Sequence, residues 1–183
     1  MAIVTQARGS ERDLVVACQA GDDAALSAFY DRFFSPIYRF VLASTGSRED
    51  AEDVTADVFL KAFRGIAAYR DQSKPVAAWL FRIARNEVAD HYRRNSRRPA
   101  TLSIDLQQEE PLGRYDPVET AGLLLDLARA LAGLPRDQRQ AVLLRLAGGL
   151  STRQTAEVMR KPEGTVRSLL HHGIKALRAA MEK

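Results

Sequence analysis

Apolar residues along this chain recur at three- and four-residue intervals, the spacing of a helix with one buried face. Leu14, Ala17 and Cys18 open the pattern, and Ala25, Phe29, Phe33 and Phe34 resume it beyond a break at Gly21-Asp22-Asp23. Ile37 to Ala43 carries it on to a stop at Ser44-Thr45-Gly46. Ser47 is placed as an N-cap with Asp50 at the third position, and Glu49, Asp50, Glu52 and Asp53 suit the positive start of a helix. That helix is predicted to run to about Phe63, with Val54, Val58, Leu60 and Phe63 available for burial.

Tyr69 to Pro75 is polar and stopped by proline, hence a loop. Ala77 to Arg94 is the next predicted helix, with Leu80, Ile83, Ala84 and Val88 inward. Trp79, alone on a mostly apolar helix, reads as core rather than as a platform for a base. Asn95 to Pro117 carries Pro99, Pro111 and Pro117 with no sustained period, which predicts a flexible linker. A second helical block follows: Leu123 to Leu131, Arg136 to Leu146, Thr152 to Met159 and Glu163 to Met181. No period-two strand pattern persists. The expected fold is all-α: an N-terminal domain over 10–95, a linker over 96–118 and a C-terminal domain over 119–183.

Charge sharpens this picture. The formal net charge is +4, but its distribution matters more than its total. Arg82, Arg85, Arg93, Arg94, Arg97 and Arg98 outweigh Glu87 and Asp90, and the stretch from Thr152 onward is again basic. Between them, Asp105, Glu109, Glu110, Asp116 and Glu119 face only Arg114. Two basic lobes on an acidic connector suit a protein that meets nucleic acid twice. No run approaches about 18 apolar residues, so membrane insertion is not expected. Met1 to Arg12 shows no secretion signal, and Cys18, the one cysteine, can form no internal disulfide. The expected location is the cytoplasm.

The C-terminal block carries the clearest mechanism. Ser151 with Gln154 makes a capping box for a short helix, Arg160-Lys161-Pro162 a tight break, and Pro162 suits the first turn of a longer basic helix. That is a helix-turn-helix, in which the second helix enters the major groove. Ala156, Val166 and Leu170 would pack inward. Thr165, Arg167, Ser168, His171, His172 and Lys175 then remain for bases and phosphates. His171 and His172 are adjacent, so their rings diverge by about 100° and make a poor metal clamp. No catalytic constellation, cofactor or metal site is expected.

At these residues a resemblance emerges. LPRDQRQAVLLR from Leu134, followed by GGLSTRQTAEVMRKPEGTVRSLL, resembles the promoter-binding C-terminal domain of bacterial sigma factors. REDAEDVTADVFLKAF from Arg48 resembles their polymerase-binding helix, and AAWLFRIARNEVADHYRR from Ala77 their promoter-melting segment. The three lie in the family's order, without room for the middle domain of housekeeping members, as in the extracytoplasmic-function (ECF) group. The resemblance implies an initiation factor whose partners are core RNA polymerase, promoter DNA and an anti-sigma protein. It implies core contact near Asp53, Asp57 and Phe59, with Glu49 and Glu52 adjacent. It also implies single-strand recognition of the minus-ten element by Tyr69, Arg70, Lys74 and Asn86, with Arg82, Arg85, Arg93 and Arg94 on the strand backbone. The recognition helix would read the minus-thirty-five element. Where family members commonly carry arginines, this chain has Leu169-Leu170-His171-His172-Gly173. That departure leaves the promoter preference open and points to weaker, more pH-sensitive binding. Gly173 should also cost its helix about 1 kcal/mol. The alternative function is a one-component helix-turn-helix regulator acting as a dimer, which leaves the melting-type helix unexplained.

Overall fold

The computed structural model describes residues 11–70, 75–94 and 130–181. Among them, every extended element is a helix: α1 (Glu11–Gln19), α2 (Asp23–Thr45), α3 (Arg48–Gly65), a 3-10 turn (Ile66–Ala68), α4 (Val76–Arg94), α5 (Arg136–Leu146), α6 (Thr152–Met159) and α7 (Glu163–Met181). The expected helix Leu123–Leu131 and the linker fall almost wholly outside the described residues.

Local chemistry sets the helix ends. Asp22 accepts from the backbone N–H groups of Ala24 and Ala25 at 2.8 and 3.1 Å, opening α2. The Ser47 hydroxyl accepts from Asp50 N–H at 3.3 Å at the start of α3. At α6 the capping box is complete: Gln154 N–H donates to Ser151 Oγ at 3.2 Å, and Ser151 N–H to Gln154 Oε1 at 2.8 Å. The carbonyl of Pro162 accepts the first bond of α7 from Val166 N–H, which places the proline just before the helix rather than within its first turn.

The first block buries α2, α3 and α4 against one another. Phe29, Ile37, Val41, Val58, Leu80 and Phe81 have lost almost all contact with solvent, and each such side chain stabilises by about 1.5–3 kcal/mol. Cys18 and Val15 tie α1 to this core. Leu60, expected inside, is instead 48% exposed. It lies on the solvent stripe of α3 with Glu49, Glu52 and Asp53. Ile83 and Val88 are half-buried rather than core.

The second block centres on Val142, Leu144, Val158 and Val166, with Leu170 and Leu177 closing its edge. Gly173 has a packing reason: a Cβ there would lie 2.8 Å from Val142 Cγ2, so glycine allows α7 to cross α5 closely. The two blocks also touch. Gly148 sits beneath the Phe81 ring, where a Cβ would come within 2.7 Å of Cε1. Arg39 Nε donates to the Ala147 carbonyl at 3.3 Å, and Arg85 Nη1 to the Val158 carbonyl at 2.9 Å. Val158 lies in the last turn of α6, whose carbonyls lack partners within the helix, so Arg85 caps one block from the other.

Candidate functional site

Three surfaces gather the expected residues. On α3, Glu49, Glu52 and Asp53 are exposed, and Asp57 is half-buried, 3.8 Å from Arg94. Glu52 is paired with Arg48 at 2.9 Å. Phe59 is not on this face: it is 3% exposed, packed at tilted angles among Tyr30, Phe34 and Phe63 with ring centroids 4.7, 6.4 and 6.0 Å away. What the sequence reading missed is the apolar border of the acidic stripe, where Leu60 and Tyr30 remain 48% and 39% exposed. Periodicity assigned Leu60 to the core because it cannot say how wide the buried face is.

The second surface is a cavity of about 330 Å³ between α3, the 3-10 turn and α4. Tyr69 and Trp79 form an aromatic wall with centroids 5.2 Å apart, and Asn86 stands exposed at the edge. Trp79, expected in the core, is half-buried and faces this cavity as well. The lining includes an ion pair that no local pattern announced, since its members are on separate helices. Lys61 Nζ lies 2.6 Å from Glu87 Oε1, and the Glu87 side chain is only 4% exposed. Tyr69 is itself buried at 8% exposure, so the wall offers chiefly the half-buried Trp79 ring for stacking, with a cation, a carboxylate and an amide for base edges. Arg70 is exposed and donates to the carbonyls of Ala67 and Tyr69. Lys74 lies outside the described residues.

The remaining arginines of α4 part company with this cavity. Arg82 and Arg85 face the C-terminal block. Burial first, then the Arg160, Arg136 and Arg82 charges, hold the Arg85 guanidinium below its ordinary range, with Asp137 opposing. Arg93 bonds Asp90, whose carboxyl is held below its usual range chiefly by that bond.

The third surface is α7. Thr165, Arg167, Ser168, His171, His172 and Lys175 all stand exposed, while Val166, Leu170 and Gly173 are buried. Arg167 is held by Glu163 at 3.1 Å, one turn back. The two histidine rings sit 5.4 Å apart with their planes at 79° to one another. Among the described residues, no three His, Cys, Asp or Glu side chains gather as a metal site.

Residues 29–98 match the model of Sigma-70 region 2, and residues 124–177 that of Sigma-70 region 4. The chain belongs to the ECF sigma factors of RNA polymerase. It is 32% identical over 169 residues to the ECF sigma factor SigL of Mycobacterium tuberculosis, covering 92% of this chain and 96% of that one. It is also 34% identical over 170 residues to BldN of Streptomyces coelicolor, covering 90% of this chain but 63% of the relative. In fold it is similar to the sigma factor RpoE of Bartonella quintana, solved with the anti-sigma factor NepR, at a TM-score of 0.63 and 24% identity, covering 85% and 97% of the two chains. The region 2 match falls on the first block of the sigma factor and the region 4 match on the second. Among the described residues, no helix is long and apolar enough to cross a membrane.

Proposed function

We propose that this sigma factor divides initiation among its three surfaces. The acidic stripe of α3, Glu49, Glu52, Asp53 and Asp57, docks on core polymerase. Leu60 and Tyr30 add apolar contact at its border, and buried Phe59 holds the helix in place from behind. The cavity between Tyr69, Trp79 and Asn86 takes a base extruded from the minus-ten element, an arrangement that offsets the few kcal/mol of unstacking. Arg70, Lys74, Arg93 and Arg94, with Arg82 and Arg85 once released, hold the strand backbone. The α7 face inserts in the major groove of the minus-thirty-five element.

The observation that carries this reading is the division of α7. Every α7 residue expected to meet DNA is exposed, while Val166 and Leu170 between them are buried and Leu169 and Ile174 are half-buried against the core. In this reading the sigma factor acts in the cytoplasm, where polymerase and promoters are. It is a specificity subunit with no catalytic group of its own, bound in its resting state by an anti-sigma protein, as the partner of the Bartonella relative suggests.

Two substitutions test the division. Asp53→Ala should weaken core-polymerase binding and leave binding to a minus-thirty-five duplex intact, whereas Arg167→Ala should do the reverse at a cost of about 1–3 kcal/mol. Equal loss of the same function in both variants would contradict the assignment.

A further inference from the structure

The cleft where the two blocks meet lies apart from the three surfaces and shares only Arg82 with the proposed promoter contacts. It measures about 520 Å³ and is lined by Arg82 from α4 and by Arg153, Ala156, Glu157, Arg160 and Lys161 from α6 and its following turn. Four cations share it with one carboxylate. That volume is in the range of small-molecule sites, roughly 300–1,000 Å³, but the lining is charged rather than apolar, which selects an anion.

The internal pairing leaves much of this charge uncompensated. Arg153 reaches Glu157 only at 3.8 Å with its side chain 76% exposed, and Lys161 is paired with Asp137 at 3.0 Å. Buried atoms in the lining lack hydrogen-bond partners: Arg82 Nε on one wall and Glu157 Oε2 on the other. A buried N–H donor without an acceptor is costly, more so when charged, and an oxyanion in the cleft would bring acceptors to the guanidinium that carries it. Like charges also crowd at this seam, because Arg85 feels Arg160, Arg136 and Arg82. Bringing the blocks together therefore concentrates positive charge that a multivalent anion would neutralise. Guanidinium groups match phosphate oxygens in fork geometry, so a phosphate-bearing anion suits the donor set best.

The geometry points to the cleft between α4 and α6 as a binding site for a small polyphosphate anion, gripped by Arg82 on one block and by Arg153, Arg160 and Lys161 on the other. Bound there, it ties the blocks together and occupies Arg82, one of the cations proposed for promoter DNA. Phosphate occupancy and promoter engagement then compete.

Sodium tripolyphosphate titrated into the full chain by calorimetry at low ionic strength tests this. Saturable one-to-one binding with a raised melting temperature is expected. Arg153→Gln, at an exposed position, should fold normally and bind about tenfold more weakly, the loss of one charge-assisted contact. Lys161→Gln should weaken binding similarly, and Arg178→Gln on the last turn of α7, which does not line the cleft, should leave it unchanged. No saturation, or equal loss on Arg178→Gln, would overturn the site. So would binding of a mixed-sequence single-stranded oligonucleotide that depends on Arg153 while tripolyphosphate fails to bind, since the cleft would then be part of the nucleic-acid path.

Discussion

Arg85 Nη1 donates to the Val158 carbonyl oxygen at 2.9 Å, so a cation from α4 caps the C-terminus of the first helix of the helix-turn-helix. That bond takes one of the five N–H donors of the guanidinium. If Arg85 serves the strand backbone as proposed above, turning its Nη1 to a phosphate exchanges this internal hydrogen bond for an external one.

Removing that bond should cost more than an ordinary surface arginine. Arg85→Ala is expected to lower unfolding stability in urea by about 1 kcal/mol, against changes within roughly 0.5 kcal/mol at unengaged surface positions. The neighbouring cations oppose the contact, and salt screens that repulsion. The penalty should thus grow as salt is added, the reverse of a surface ion pair. A penalty that shrinks with salt would show that attraction to Asp137 dominates instead.

Gly173→Ala should destabilise the C-terminal block although alanine is the better helix former. The new Cβ would meet Val142 Cγ2 at 2.8 Å, and such overpacking costs typically about 1–3 kcal/mol, exceeding the propensity gain of about 1 kcal/mol. Val142→Ala in the same chain should recover part of the loss. Stabilisation by Gly173→Ala alone, read from urea midpoints, would mean that α7 and α5 are not so closely crossed.

The same glycine shows where sequence reading succeeds and fails. Helix ends were legible because their signals are local: Ser47 and Ser151 cap as their spacing to Asp50 and Gln154 implied. The recognition face was legible too, since Val166 and Leu170 alternate with polar positions at helical spacing. Gly173 looked like a defect because the helix it accommodates lies some thirty residues earlier, which no local pattern reports. Lys61 with Glu87 and Arg85 with Val158 were hidden for the same reason: each pair is made only by tertiary packing. Phe59 and Leu60 were exchanged between core and surface because the buried stripe of α3 is narrower than its apolar content.

Alkaline pH should weaken the fold. Burial, then the Asp22 charge, pushes the Cys18 thiol above its ordinary value of 9.0, and burial is also the first cause raising the Tyr38 and Tyr92 phenols above 10.0. In all three the folded state holds its proton more tightly than the unfolded chain. Their contribution is therefore complete below about pH 9 and is lost as pH rises through the raised values. The melting temperature should be flat up to about pH 8.5 and fall above it, with a shallower fall in Cys18→Ala. An equal slope in that variant would remove the thiol from this explanation.

Transcription reconstituted from this protein and sigma-free core polymerase on fragmented genomic DNA, with the transcripts sequenced, tests the sigma assignment most directly. Discrete start sites sharing an upstream duplex motif and a minus-ten motif are expected, both lost without the protein. Tight binding of the isolated protein to duplex DNA as a dimer, with no specific transcripts from core polymerase, would contradict it and favour a one-component regulator.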